Sequence, residues 1–264
     1  MSDAVISLAK ARPEATVQWL FLHHAGGSSY PYLQLANQLS AANEAYCLEL
    51  PGRGARFMEP LQAGAAATLA SILAAVRQRG LGRDKPLMLF GHSLGAELAF
   101  QLAGQLQQQA PQMQLGLTLS ARVFVDPAEP GAVPEAPLSD QAILNLLQQY
   151  EGTPPEVLAD AALREYVIGV MRSDLALLAD LCRLPKPALA LPVRVVGGDS
   201  DFRVPVARLA QWQQVFRQTI TPQVFTGGHF YLFSCPEFVS WLEQCGRALL
   251  CQSGQADEAA GHPV

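Results

Sequence analysis

Short apolar runs alternate along this chain with longer stretches in which leucines return every three or four residues. Residues 17–22 (VQWLFL), 44–50 (EAYCLEL), 86–90 (PLMLF), 115–123 (LGLTLSARV), 192–198 (PVRVVGG) and 222–228 (PQVFTGG) have the length and side-chain content of buried strands. Helical spacing fills 32–41, 65–80, 96–109, 205–218 and 236–250, with Leu98, Leu102 and Leu106 on one face of the third and Pro111 stopping it. Strands that alternate with helices predict a mostly parallel sheet covered by helices on both faces.

One interval breaks the rhythm. Residues 124–190 separate two strands by far more than a crossover needs. The interval opens on Pro127, Pro130, Pro134 and Pro137 and then shows helical spacing at 139–150, 155–161 and 163–182. It reads as a helical cap (lid) inserted into a single domain spanning 1–264, not as a second domain. Residues 252–264 have no apolar periodicity and are expected to be a disordered tail.

Composition narrows the function classes. Half of the 264 residues are hydrophobic, enough for one large core, and the net charge of -5 leaves no basic footprint for nucleic acid. Five scattered cysteines (Cys47, Cys182, Cys235, Cys245, Cys251) form neither a disulfide framework nor a C-x-x-C zinc pair. No metal or cofactor is expected. The N-terminus carries Asp3 where a signal peptide would be positive, its apolar run is broken by Lys10 and Arg12, and no stretch approaches a membrane span. A cytoplasmic location without membrane contact is expected.

The chemistry centres on Gly91-His92-Ser93-Leu94-Gly95, between a strand and a helix. That is the context of a nucleophile elbow, a sharp turn that exposes a serine at the strand end and needs small neighbours. A serine hydroxyl needs a base, and in α/β-hydrolases an acid and then a histidine follow the serine along the chain. His262 lies in the tail, which leaves His229 in the glycine-rich loop FTGGHF. The preceding loop, VVGGDSDFRVP, offers Asp199 and Asp201. The hydrolase spacing G-x-x-D-x-x-V-P favours Asp201, with Asp199 as the alternative turn-forming residue. The backbone N–H of Leu94 and that of Ala25, in the early loop FLHHAGGSS, are the candidate oxyanion-hole donors. His23, His24 and His92 read as packing residues.

Together, FLHHAGGSSYPY, LPGRGAR, LFGHSLGAELAFQLA, MRSDLALLADL, PVRVVGGDSDFRVP and FTGGHFYLF resemble the type II thioesterases of nonribosomal peptide and polyketide synthesis, in the α/β-hydrolase superfamily. The resemblance covers about residues 17–250, the cap segment LLQQYEGTPPEVLADAALREYV included. It implies a triad of Ser93, Asp201 and His229 and oxyanion donors at Ala25 and Leu94. It also implies a substrate, an acyl or aminoacyl thioester on the phosphopantetheine arm of an acyl or peptidyl carrier protein. The chain departs from the usual pattern at His23, where proline is common, and at Leu94, where methionine is common. Arg172 and Asp174 match a recurrent Arg-x-Asp pair, expected to make a structural ion pair or a lid contact. A medium-chain fatty acyl thioesterase is the close alternative. A general carboxylester hydrolase, an acyltransferase and a non-catalytic binding protein are the remaining readings.

Overall fold

The computed structural model describes residues 5–61, 64–134, 136–150 and 153–260, with side chains to 251. Asp3 and His262 lie outside the described residues. Among the described residues, seven strands form one sheet: β1 (Ile6–Leu8), β2 (Val17–Leu22), β3 (Asn43–Leu48), β4 (Leu87–His92), β5 (Leu115–Ser120), β6 (Val193–Gly198) and β7 (Gln223–Phe225), in the order β1-β3-β2-β4-β5-β6-β7. All pairs are parallel except β1–β3, where Ser7 lies opposite Cys47.

Alternation along the central strands sorts side chains to two faces. Leu20, Leu22 and Leu89 point to one face and pack with Leu69 and Ile72 of α2 (Ala65–Gln78) and with Leu98 and Leu102 of α3 (Leu94–Gln109). Trp19, Phe21 and Phe90 point to the other and meet Tyr32 and Leu35 of α1 (Ser29–Asn37) and Phe238 and Leu242 of α8 (Glu237–Ala260). Both faces are apolar because both are covered, so these strands read as continuous hydrophobic runs rather than alternating ones.

Between β5 and β6 the chain forms α4 (Asp140–Gln149), α5 (Pro155–Ala159) and α6 (Ala161–Arg183). Ser139 caps α4 by accepting the Ala142 N–H, and Asp160 caps α6 by accepting from Ala162 and Leu163. α6 packs along α3 and against α2, α4 and α5.

Several boundaries differ from the sequence reading, three of them as follows. The run at 205–218 splits into a short α7 (Val206–Leu209) and a 3-10 turn over Ala210–Val215. There the Gln213 side chain bonds the Phe216 and Gln218 carbonyls and the Ile220 N–H, drawing the backbone out of helix. β5 stops at Ser120 instead of 123, because Ala121 takes a left-handed φ of 48°. The helix α8 runs on to Ala260, past residue 252 where the sequence reading places the start of the tail. Residues 261–264 lie outside the described residues. Among the described residues, no helix is long and apolar enough to cross a membrane.

Candidate active site

The loops after β2, β4, β6 and β7 meet at the C-terminal edge of the sheet, where open α/β sheets bind ligands. Ser93 sits between β4 and α3 with φ 57° and ψ -113°, a strained conformation for a residue with a Cβ. The flanking glycines are there for space. A Cβ on Gly91 would lie 2.0 Å from the Gly95 carbonyl oxygen, and one on Gly95 would lie 2.0 Å from that of Leu22. β4, the start of α3 and the end of β2 are therefore pressed together, and the serine is carried on the bend between them. Leu94 opens α3, so its N–H belongs to the donor-rich end of a helix.

His229 is nearly buried, and its Nδ1 lies 2.6 Å from Oδ2 of buried Asp201. The other carboxylate oxygen, Oδ1, accepts the N–H groups of Arg203 (3.0 Å) and Val204 (3.2 Å). Asp199 does something else. It is exposed and its Oδ1 accepts the Gly227 N–H (3.0 Å) and the Ser200 hydroxyl (2.8 Å). Those bonds, led by the Gly227 N–H, hold its carboxyl below the usual carboxylate range. Asp199 thus ties down the loop that carries His229 without touching the imidazole's partner oxygen. Gly198 allows the two loops to approach, since a Cβ there would sit 2.3 Å from the Gly227 carbonyl oxygen.

Ser93, His229 and Ala25 line one cavity of about 370 Å³, within the range of small-ligand sites. Its far wall is apolar and comes from the helices between β5 and β6: Leu146 and Leu147 of α4, and Met171, Leu175 and Leu178 of α6. Tyr150, at the end of α4, lays its ring 4.7 Å from that of His229. Sequence reading did not single out Tyr150, since the contact joins residues far apart in the chain. Behind the site, Glu97 in the first turn of α3 is fully buried. Burial pushes its carboxyl up, but Arg122 (3.1 Å) and Lys186 (2.7 Å) outweigh this and hold it below the ordinary range.

The other described histidines, His23, His24 and His92, each have a defined place. His23 is buried and accepts the Leu50 N–H on Nε2 (3.3 Å), so its Nδ1–H donates to the His24 carbonyl (2.8 Å). His24 bonds the Tyr32 hydroxyl through Nδ1 (2.8 Å) and packs on Phe230. His92 bonds Ser120, whose hydroxyl also meets Tyr231, and its ring lies 5.0 Å from that of His229. Desolvation lowers the pKa of all three, that of His23 to about 4. The sign of the linkage follows. The unfolded chain protonates these rings near pH 6.5, while the folded chain resists, so stability is complete above pH 6.5 and is lost as pH falls toward 4. His23 alone should cost about 3 kcal/mol over that window. Urea unfolding at pH 7, 5.5 and 4.5 checks this, and a flat stability profile would contradict it.

Arg172 and Asp174 both form ion pairs, but with different partners: Arg172 with Asp140 of α4, and Asp174 with Arg53. Arg53 was legible only as part of LPGRGAR. Its pairing crosses 121 residues, beyond any local signal.

A mostly parallel sheet with helices on both faces, a serine on a strained strand-to-helix bend and a histidine-carboxylate pair after the last strands together define the α/β-hydrolase fold. The thioesterase domain family matches residues 18–249, and the chain belongs to that family. It is 30% identical over 220 residues to thioesterase PikA5 of Streptomyces venezuelae, covering 83% of this chain and 77% of that protein. It is 28% identical over 243 residues to thioesterase TesA of Mycobacterium marinum, covering 90% and 94%. Among solved structures, it superposes on BorB, a type II thioesterase from the borrelidin biosynthetic cluster, with a TM-score of 0.76, 29% identity and coverage of 93% and 98%. It superposes on YbtT, a type II thioesterase of the yersiniabactin pathway, with a TM-score of 0.78, 25% identity and coverage of 93% and 99%.

Proposed function

We propose that this protein is an editing type II thioesterase, a serine hydrolase that clears acyl or aminoacyl groups from the phosphopantetheine arm of acyl or peptidyl carrier proteins. The observation that carries the reading is that Ser93, on its strained bend, and His229, anchored by Asp201, line one cavity. The identity of the relatives supports the choice of a carrier-bound thioester over an ester.

Each residue then has a defined task. With Nδ1 committed to Asp201, His229 keeps Nε2 for the Ser93 proton. Ser93 Oγ bonds the acyl carbon, and the negative charge that develops on oxygen is met by the N–H groups of Leu94 and Ala25. The C–S bond breaks and the arm leaves as its thiol with the proton from His229. Water, deprotonated by His229, attacks the acyl-enzyme. The acid departs, and Ser93 recovers its proton. Asp201 orients the imidazole and stabilises its charged form. Tyr150 and the leucines of α4 cover the reacting atoms and reduce water around them.

We read α4, α5 and the first half of α6 as a lid over a tethered substrate. Arg164 and Arg172, two cations on that lid, are engaged with the Leu158 carbonyl and with Asp140. The exposed apolar residues Leu163, Phe57 and Met58 are better placed to meet a carrier. Phe57 reaches α6 through Tyr166, 5.4 Å ring to ring. The apolar lining also favours a second reading, hydrolysis of medium-chain fatty acyl thioesters. The test compares one acyl group on a carrier protein with the same group on N-acetylcysteamine. The carrier should raise kcat/KM at least about tenfold, equal to about 1.4 kcal/mol of added transition-state binding. Leu163→Glu should remove much of that gain while sparing the short thioester. Equal kcat/KM for the two substrates overturns carrier recognition and favours the fatty acyl reading.

A further inference from the structure

The loop that supplies Ala25 does not stand alone. Asp174, fully buried on α6, accepts the Gly26 N–H on Oδ2 (2.7 Å) and takes both Arg53 terminal nitrogens, Nη1 on Oδ2 (2.6 Å) and Nη2 on Oδ1 (2.8 Å). Arg53 is itself 3% exposed and donates onward to the Gly27 carbonyl (3.2 Å). One turn earlier on the same face of α6, the Met171 methyl lies 2.9 Å from where a Gly26 Cβ would be, and Gly26 has φ +74°. α6 therefore grips the Gly26 backbone twice, by a charge-assisted hydrogen bond and by packing. Gly26 shares a peptide link with Ala25, so whatever fixes Gly26 also fixes the direction of its neighbour.

We propose that Asp174 and Arg53 are positioning residues for the oxyanion hole. Asp174 takes the Gly26 N–H out of play and holds the loop so that the Ala25 N–H faces the acyl oxygen. Arg53 neutralises a carboxylate that would otherwise oppose the negative charge forming nearby. Because Asp174 belongs to α6, which also walls the acyl cavity, the hole is complete only while that helix is seated. The inference rests on the reading of Ser93 as nucleophile and Ala25 as donor given under Proposed function.

The test uses Asp174→Ala, Asp174→Asn and Arg53→Lys in the full chain, each checked for folding by circular dichroism and melting temperature. With an N-acetylcysteamine thioester, Asp174→Ala should lose about a hundredfold in kcat, the scale of one lost oxyanion donor. KM should stay within about twofold. Affinity for an alkyl trifluoromethyl ketone, which forms a tetrahedral adduct on serine, should fall in parallel, while affinity for the product acid stays unchanged. A purely structural pair would lower the melting temperature without separating these quantities. Asp174→Asn keeps an acceptor for Gly26 and should lose less, about tenfold. It carries the test, together with Arg53→Lys, if Asp174→Ala does not fold. Folded variants with wild-type kcat and ketone affinity overturn the proposal, as do variants in which kcat and product affinity fall while KM rises in proportion. Fluorophosphonate labelling of the wild type separates the two levels. A wild type that is not labelled at Ser93 overturns the triad reading and this proposal with it. A labelled, active wild type with unaffected variants overturns this proposal alone.

Discussion

With Ser93 as the proposed nucleophile, Ser93→Ala should lose more than about a thousandfold in kcat and keep the fold, because the nucleophile, base and acid of such a site act as a unit. The structural argument is local. The backbone at Ser93 already pays for a φ of 57°, and alanine can occupy that bend with no larger side chain to place. The buried contacts around the bend are made by Gly91, Gly95, Leu94 and Ala96, all unchanged in the variant. The melting temperature should therefore move by only a few degrees, within the range of about 2–4 °C per kcal/mol for a chain of this size. Thiol release from an acyl thioester, followed with a chromogenic disulfide, measures the loss. In the wild type, a fluorophosphonate adduct mapped by mass spectrometry should fall on Ser93. A variant that retains a tenth of the activity, or an adduct on another residue, would move the nucleophile elsewhere.

The parts legible from the sequence are those in which the signal and its cause are close together in the chain. Gly91 and Gly95 bracket Ser93 within five residues because the backbones they touch leave no room for a Cβ. The buried strands announce themselves as apolar runs because each is covered on both faces. Asp201 and His229 sit just past strand ends, in loops marked by glycines that let those loops meet. What stayed hidden depends on distant partners. β1 is three residues long and exists only through antiparallel pairing with β3, whose order no local pattern announces. The early start of α1 needs the Ser28 hydroxyl to accept the Tyr30 N–H, ahead of the first periodic leucine. Tyr150 over His229 and Asp174 with Arg53 join the helices between β5 and β6 to loops elsewhere, and their residue types carry no sign of it. Spacing favoured Asp201, but the sequence could not show which carboxylate meets His229, since Asp199 and Asp201 share one loop and one chemistry.

That choice yields the second large effect. Asp201→Asn should lower kcat by about four orders of magnitude, whereas Asp199→Asn should cost at most about tenfold. Asp201 has committed its Oδ1 to the N–H groups of Arg203 and Val204, leaving Oδ2 to accept from His229 Nδ1. An asparagine cannot serve both sides. If its oxygen faces the two backbone donors, its NH2 faces Nδ1 and can only donate. The imidazole must then carry its proton on Nε2, where it donates toward the Ser93 hydroxyl instead of accepting from it. If the amide flips, the NH2 points at two N–H groups and leaves both without an acceptor in a buried place, a loss in stability. The flipped arrangement keeps the tautomer but strands two buried donors, so the first arrangement prevails, the base is lost, and the fluorophosphonate labelling rate should fall along with kcat. Asp199→Asn keeps an oxygen for the exposed Gly227 N–H, so the His229 loop retains its tether and the imidazole keeps its tautomer. Side-by-side kcat and labelling rates for the two variants decide the matter: if Asp199→Asn is the more damaged of the two, the acid of this site is Asp199 and the Asp201–His229 bond plays only a structural part.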